Sequence, residues 1–403
     1  MTNKLSELIR AELPVVIAIR RDLHAHPELA YQEKRTSRVV CDELTRLGVE
    51  FVPGMAGGTG VLAHIPATGP GGKGAPVRGA VALRADMDAL PIEEATGAAY
   101  TSKHPGVMHA CGHDGHTANL LGVARVLSKL DHRPNPVTLI FQPAEEGGAG
   151  GKRMCEDGAM NGSRLGPKVD RVFGLHGWPQ YELGDVGSRP GPLLAATDNF
   201  HFEIVGEQSH AAYPQLSRDP VVAASQVVVA LQTVCSRNAA PTECLVVTVA
   251  TIHGGLAHNV IPRSVMLSGT MRTLTPEMRK MGRERVCAIA TGVAAAMGCE
   301  ARIRWEEGYP VTHNDPLLTQ RFFRVARETV GAARVREVPT PTMGGEDFSY
   351  YGQHAPACFF ILGVRPPGRQ TYPSLHQPEY DFNDDALATG IELMCALAVD
   401  ERV

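Results

Sequence analysis

No stretch of this chain is apolar for long enough to cross a membrane. None concentrates basic residues, or interleaves them with aromatics, as a nucleic-acid surface does. Its 39 Lys and Arg stand against 43 Asp and Glu, too even a balance to hold a phosphate backbone. The opening MTNKLSELIRAELP is polar and amphipathic and lacks the apolar centre of a secretory leader, so a cytoplasmic protein is expected. No C-x-x-C pair is present, which leaves little basis for a redox role. The nine cysteines are odd in number and scattered, so reduced thiols are expected rather than a disulfide framework. What the chain does have is length: 403 residues, 43% of them hydrophobic, exceed one ordinary core and make two domains the default.

Periodicity places an amphipathic helix over the first two dozen residues, on Leu5, Leu8, Ile9, Val16 and Leu23, and a second from about Thr36 to Leu47, closed by Gly48. TGPGGKGAP, residues 68–76, reads as a surface loop between strands. Strands then alternate with helices. GAVALRADMDALP carries a buried strand over Ala80–Leu83 that ends in Asp86 and Asp88; PVTLIFQPAEE leads into Glu145 and Glu146; RVFGLHGWP leads into His176. This alternation predicts an α/β domain, a mixed, mostly parallel sheet with helices on both faces. From residue 195 the order becomes βαββαβ, a ferredoxin-like α+β unit with Asp219–Pro220 and Thr275 as helix starts. The expected organisation is a discontinuous domain over 1–194 and 309–403, interrupted by an inserted domain over 195–308.

In open parallel sheets ligands bind beyond the carboxyl ends of the strands. Asp86, Asp88, Glu145, Glu146 and His176 are all expected there. MHACGHDGH, residues 108–116, adds Cys111 and His113 two positions apart, within reach of one point from a single turn. Thiolate, imidazole and carboxylate together suit zinc or a neighbouring divalent metal. Glu145 and Glu146 would diverge on a strand, one to a metal and one to a water. A thiolate nucleophile at Cys111 is the competing reading, though it leaves the glutamate pair without a task. His109 and His116 read as supports, and one of Asp86 and Asp88 as the acceptor that orients an imidazole. With 16 histidines in the chain, several, such as His64 and His132, are incidental.

RADMDALP, MHACGHDGHTA, FQPAEEGGAGG, GLHGWP, SHAAYP, NVIP, GTMRT, GGEDFSYY and LHQPEYDFNDDAL follow one another in an order that resembles the M20 metallopeptidase clan. The likeness is to its amidohydrolase branch, the hippurate hydrolases, N-acyl-amino-acid deacylases and auxin-conjugate hydrolases, and runs from RRDLHAHPEL at 20–29 to the end. It implies a two-metal amide hydrolase whose inserted domain is a lid that also dimerises. By motif position the metal ligands are Cys111, His113, Glu146, His176 and His376, with Glu145 as general base. His210 matches a lid histidine that reaches a partner's active site, and Asn259 and Arg272 match positions that hold the substrate. The metals would be two divalent ions, with zinc favoured and manganese, cobalt or nickel as alternatives. The partners implied are a small N-acyl amino acid and a second copy of the chain, with no nucleic acid and no membrane. Gly177 of LHGWP stands where such enzymes often carry a branched residue. A dipeptidase or aminopeptidase, with Glu346 or Asp347 receiving a free amine, is the runner-up; a metal-binding protein without turnover is a third reading.

Overall fold

The computed structural model describes residues 2–68 and 79–402; the Gly/Pro stretch expected as a loop lies, from residue 69 on, outside them. The chain divides into two compact units. The first comprises Met1–Leu193, His313–Thr340 and Asp347–Val403, and the second Leu194–Thr312 with Pro341–Glu346.

The first unit opens with α1 (Thr2–Ala25) and α2 (Lys34–Leu47), the latter stopped by Gly48 at φ 65°, a left-handed cap that an L side chain resists. There follow β1 (Glu50–Met55), β2 (Gly60–Ile65), β3 (Val81–Asp86), α3 (His113–Leu127), β4 (Val137–Gln142), α4 (Gly150–Glu156), β5 (Arg171–Glu182), β6 (Val186–Ser188) and β7 (Gly191–Leu194). The chain later adds β14 (Thr312–Asn314), which pairs with β7, then α7 (Pro316–Val330), β15 (Val335–Glu337), β16 (Ala357–Arg365) and α8 (Ala386–Val399). Eight strands form one sheet in the order β1-β2-β4-β3-β5-β16-β6-β15. The central four, β4, β3, β5 and β16, run parallel; β2 joins them antiparallel at one side with β1 antiparallel to it, and β6 joins antiparallel at the other with β15 parallel to it. β3 and β4 are buried along their whole length, which explains their near-continuous apolar sequence.

The pleat separates two environments. Val81, Leu83 and Ala85, with Val137, Leu139 and Phe141, join residues of α1, α2, α3, α7 and α8 in one large core. Alternate positions Arg84 and Gln142 turn the other way, to Asp347 at the start of a 3-10 segment, Asp347–Gln353, whose carboxylate also accepts Gly151 N of α4.

The second unit has β8 (Ala196–Val205), α5 (Pro220–Thr233), β10 (Leu245–Gly254), β12 (Ser264–Thr273), α6 (Pro276–Ala296) and β13 (Glu300–Glu307), the expected βαββαβ order. Its antiparallel sheet runs β10-β12-β8-β13. Asp219 caps α5 by accepting from Val221 N and Val222 N, and Thr275 caps α6 by accepting from Met278 N. Phe200, Phe202 and Ile204 of β8 pack on Val227 and Leu231 of α5 and on Val286 and Ala290 of α6. A separate antiparallel pair joins β9 (Ser209–His210) to β11 (Val260–Ile261).

Candidate metal centre

Three neighbouring strands present the first group of side chains. β3 ends at Asp86, which pairs with Gln142, the last residue of β4. Beyond Gln142 the chain turns, with Ala144 at φ 54°, and delivers Glu145 and Glu146. They therefore stand on a turn, and strand alternation does not separate them as the sequence suggested. His176 differs from expectation too. It sits inside β5, because β16 runs alongside as far as Glu182 and pairs Ile361 with His176. β3 leaves β5 earlier, at Arg84 opposite Gly174, so no β3 residue pairs with His176, whose buried ring meets Cys111 and His116.

Cys111 and His113 flank Gly112, the N-cap of α3, at φ 86°. A Cβ at Gly112 would lie 3.0 Å from Tyr380 Oη and 3.2 Å from the Phe382 ring, so both dihedral and space demand glycine. α3 begins at His113 itself. His376 comes from a loop at φ 65°, tied back by His376 N donating to Ala110 O at 2.8 Å.

These residues converge. Donor atoms of Cys111, His113 and His176 lie within 4.8 Å of one another, and so do those of Cys111, Glu146 and His376. Cys111 thus belongs to two three-donor groups. Its Sγ is 3.3 Å from His176 Nε2, and Glu146 Oε1 is 3.1 Å from His376 Nε2. The first group is buried, while His376 has a side chain 52% exposed, so the second opens to solvent. Three protein ligands with a fourth position left over is the pattern of a catalytic zinc-type site. His113 Nε2 is buried and makes no hydrogen bond among the described residues, as an unclaimed ligand atom would. The residues fit two divalent ions.

The surroundings fix which nitrogen each imidazole offers. His176 Nδ1 donates to Gly177 O at 2.8 Å, which leaves Nε2 for a ligand. His113 Nδ1 faces Asp88 Oδ1 at 3.2 Å, with the same result. Asp88 also accepts Glu145 N at 3.0 Å and Glu146 N at 2.9 Å, so one carboxylate sets the histidine and the glutamate turn together. Asp86 receives His116 Nδ1 at 2.7 Å, while His116 Nε2 accepts Gly177 N at 2.8 Å. Both His116 nitrogens are committed, and it supports the site without a donor to spare. Both acids therefore orient imidazoles. His109 is buried with neither ring nitrogen hydrogen-bonded among the described residues, and burial pushes it down to about 4, so it is neutral.

Sequence reading missed the layer beneath. Arg84, fully buried, bonds Gln142 at 2.8 Å, Asp86 at 2.7 Å and Asp347 at 2.9 Å. Asp347 also accepts Gly151 N at 2.8 Å, and its own N–H donates to Glu145 Oε1 at 3.2 Å. Its carboxylate is thus spoken for, which counts against the aminopeptidase role considered for it. The available signal was a lone arginine in an otherwise apolar strand. Gly177 is explained as well: a Cβ there would come within 2.9 Å of Phe382, whose ring occupies the space of a branched side chain.

Charge favours cation binding over thiolate attack. Burial, with Glu146, Glu145 and Asp86 nearby, pushes the Cys111 thiol well above its usual range. Burial also holds His176 neutral, well below the ordinary histidine value. A thiolate–imidazolium pair, which a cysteine nucleophile needs, is therefore not stabilised here. For His113, burial is outweighed by Asp86 and Asp88, and its value rises to about 10. A cation binding at neutral pH would displace these protons.

Three expected residues lie in the second unit. His210 is exposed, and its Nδ1 accepts Ala212 N at 3.0 Å, so Nε2 carries the proton as a donor. The β9–β11 pairing brings Asn259 close, with Ala211 N donating to Asn259 O at 3.0 Å. Arg272 uses Nη1 for Met271 O at 3.1 Å, Asp198 O at 3.5 Å and Thr270 Oγ1, and makes no ion pair among the described residues. The Asp198 carboxylate is occupied by Arg279 instead, at 2.8 Å.

Comparison with known proteins agrees with this chemistry. Residues 82–400 match the description of peptidase family M20/M25/M40. An N-acetyl-L-cysteine deacetylase of Bacillus subtilis is 41% identical over 374 residues, 92% of this chain and 84% of that one. IAA-amino acid hydrolase ILR1-like 4 of Arabidopsis thaliana is 40% identical, covering 95% and 84%. Among solved structures, the YXEP protein of Bacillus subtilis, described as a dinuclear metal binding peptidase from the M20 family, superposes with a TM-score of 0.81 at 32% identity, over 97% of this chain and 98% of that one. With its two donor groups built on such a sheet, the chain belongs to peptidase family M20/M25/M40, in the branch of the metal-dependent amidohydrolases.

Proposed function

We propose that this protein hydrolyses N-acyl amino acids, using two divalent ions and Glu145 as general base. The observation that carries the reading is the pair of three-donor groups sharing Cys111, with Glu145 beside them. Cys111, His113 and His176 would hold one ion, and Cys111, Glu146 and His376 the other. When bound, such ions lower the pKa of water towards neutrality and polarise the amide carbonyl. Zinc suits the thiolate best, with manganese, cobalt or nickel compatible with the imidazoles and carboxylates.

The chain's own groups supply the rest. Glu145, its Oε1 held by Asp347 N, takes the proton from the attacking water and returns it to the leaving amine. His210, with Nε2 as its donor, is suited to the oxygen that becomes negative as water adds. Arg272 keeps Nε and Nη2 clear of the contacts its Nη1 makes, so they can meet a substrate carboxylate side-on. Asn259 would steady the carbonyl region. A homodimer through the second unit fits β10, an edge strand, with exposed Ile252, Leu256, Val260 and Met266 on and around it. Nine unpaired cysteines fit a reducing cytoplasm.

Glu145→Gln tests the reading against a binder without turnover. We expect hydrolysis of acetyl- and benzoyl-amino acids to fall by about 100-fold or more, with metal content unchanged. Equal rates in wild type and variant across such substrates would refute Glu145 as the base.

A further inference from the structure

Four residues beyond the RRDLHAHPEL motif at 20–29 stands Glu33, a fully buried acid that the reaction outlined above does not use. Its segment touches both loops that build the site. Ala89 N donates to Glu28 O at 2.8 Å, which ties the segment to the loop carrying Asp88. Tyr31 Oη donates to Gly148 O on the far side of the glutamate turn. Between these two ties lies the Glu33 carboxylate. Its Oε1 accepts Tyr31 N at 3.0 Å and Ala144 N at 2.9 Å, and its Oε2 accepts Thr59 Oγ1 at 2.8 Å.

Tyr31 and Ala144 are two of only five non-glycine residues at positive φ among the described residues, at 63° and 54°. Each is in a conformation an L residue resists. Both give their N–H to the same oxygen, so one anion stabilises two strained peptides through charge-assisted bonds. Ala144 directly precedes Glu145, and its φ decides the direction in which the next two side chains leave the turn. Asp88 fixes the turn from one side through Glu145 N and Glu146 N, and Glu33 fixes it from the other through Ala144 N.

We propose that Glu33 is a positioning residue for the reaction: its carboxylate clamps the Ala144 turn and thereby sets where Glu145 stands. The proposal rests on Glu145 being the base. The groups facing Glu33 are Thr59, the Asp88 carboxylate, the Tyr31 phenol and, stacked 4.3 Å over that phenol, Arg153 of α4. Burial, reinforced by Asp88, lifts Glu33 to about 7, against the opposing hydrogen bonds from Thr59 and Ala144. The clamp is therefore strongest above neutrality and weakens as Glu33 takes up a proton.

Glu33→Gln in the metal-loaded enzyme tests this. The amide oxygen can still accept both N–H groups, and the amide nitrogen can donate to Thr59 Oγ1, so the variant imitates the protonated acid. Hydrogen exchange of the peptide over 143–148 should quicken. At about pH 8, kcat should fall roughly tenfold with KM and bound metal unchanged, as for other groups that orient a site from behind. The ratio of wild-type to variant kcat should titrate as one group near pH 7 and approach unity at low pH. Unchanged exchange overturns the clamp. Faster exchange with a pH-independent ratio overturns the link to the reaction. Should this variant fail to fold, Thr59→Val decides: it removes a bond to the charged form, so the midpoint of the acid limb should move to higher pH, and an unmoved midpoint overturns the proposal. Turnover retained in Glu145→Gln would instead remove the underlying reading, and it is measured separately.

Discussion

Replacing Asp88 by Asn should loosen metal without dismantling the fold. Asp88 now receives three donors: His113 Nδ1 at 3.2 Å and Glu145 N at 3.0 Å on Oδ1, and Glu146 N at 2.9 Å on Oδ2. An asparagine has one oxygen for them. Placed as Oδ1, it keeps two and turns an NH2 group towards Glu146 N–H; flipped, it abandons two. At least one buried N–H is left unsatisfied, which costs about 1–3 kcal/mol. That loss falls on the histidine of one donor group or on the turn bearing the glutamate of the other. At 1.36 kcal/mol per factor of ten it corresponds to roughly 5- to 150-fold in affinity, in line with the 10- to 100-fold typical for acids behind a ligating histidine. Competition with a chromophoric chelator gives the affinities of wild type and variant directly. Circular dichroism should be unchanged, and activity at saturating metal should recover most of its loss. An Asp88→Asn protein with wild-type metal affinity would refute the argument that this carboxylate holds the site together.

Two further outcomes are expected. His24 is buried against Asp114 at 2.8 Å and Glu94 at 3.1 Å; burial opposes its charge, yet these acids raise it to about 9 from 6.5. A raised histidine stabilises the fold fully below about pH 6.5 and loses that contribution as pH climbs through about 9. The stability difference between wild type and His24→Asn, from denaturant unfolding, should therefore shrink by about 3 kcal/mol between those limits; a difference flat with pH would contradict it. Arg272→Ala should raise KM for N-acyl amino acids by about 10- to 100-fold, the worth of a charge-assisted bond, with little change for their carboxamides. Equal effects on acid and amide would count against Arg272 as the carboxylate partner.

Much of this could be read from the sequence because it is local. Helix starts at Asp219 and Thr275, the stop at Gly48 and the βαββαβ order are written in adjacent residues. Cys111 and His113 are two apart on a turn that only glycine can make. What was not legible depends on residues far apart in the chain. β5 continues past His176 because β16, almost two hundred positions later, pairs with it. Asp88 looked like one of two candidate acids until Glu145 N and Glu146 N were seen to converge on it. Arg84, Gln142 and Asp347 lie in three distant stretches, and only the meeting of the sheet with the 3-10 segment makes them a buried brace. Gly177 looked like a departure in the pocket and is the counterpart of Phe382.

The first unit is assembled from three stretches of chain, and β16, a strand inside its sheet, is made only after the whole of the second unit. During synthesis β5 therefore waits without its neighbour while the second unit, nearly continuous in sequence, emerges and can close on itself. His376 leaves the ribosome later still, so one of the two donor groups stays incomplete until both units have been made. A premature stop near residue 350 would leave β5 with β3 on one side and nothing on the other, an apolar edge open to chaperones and proteases and no partial enzyme at all.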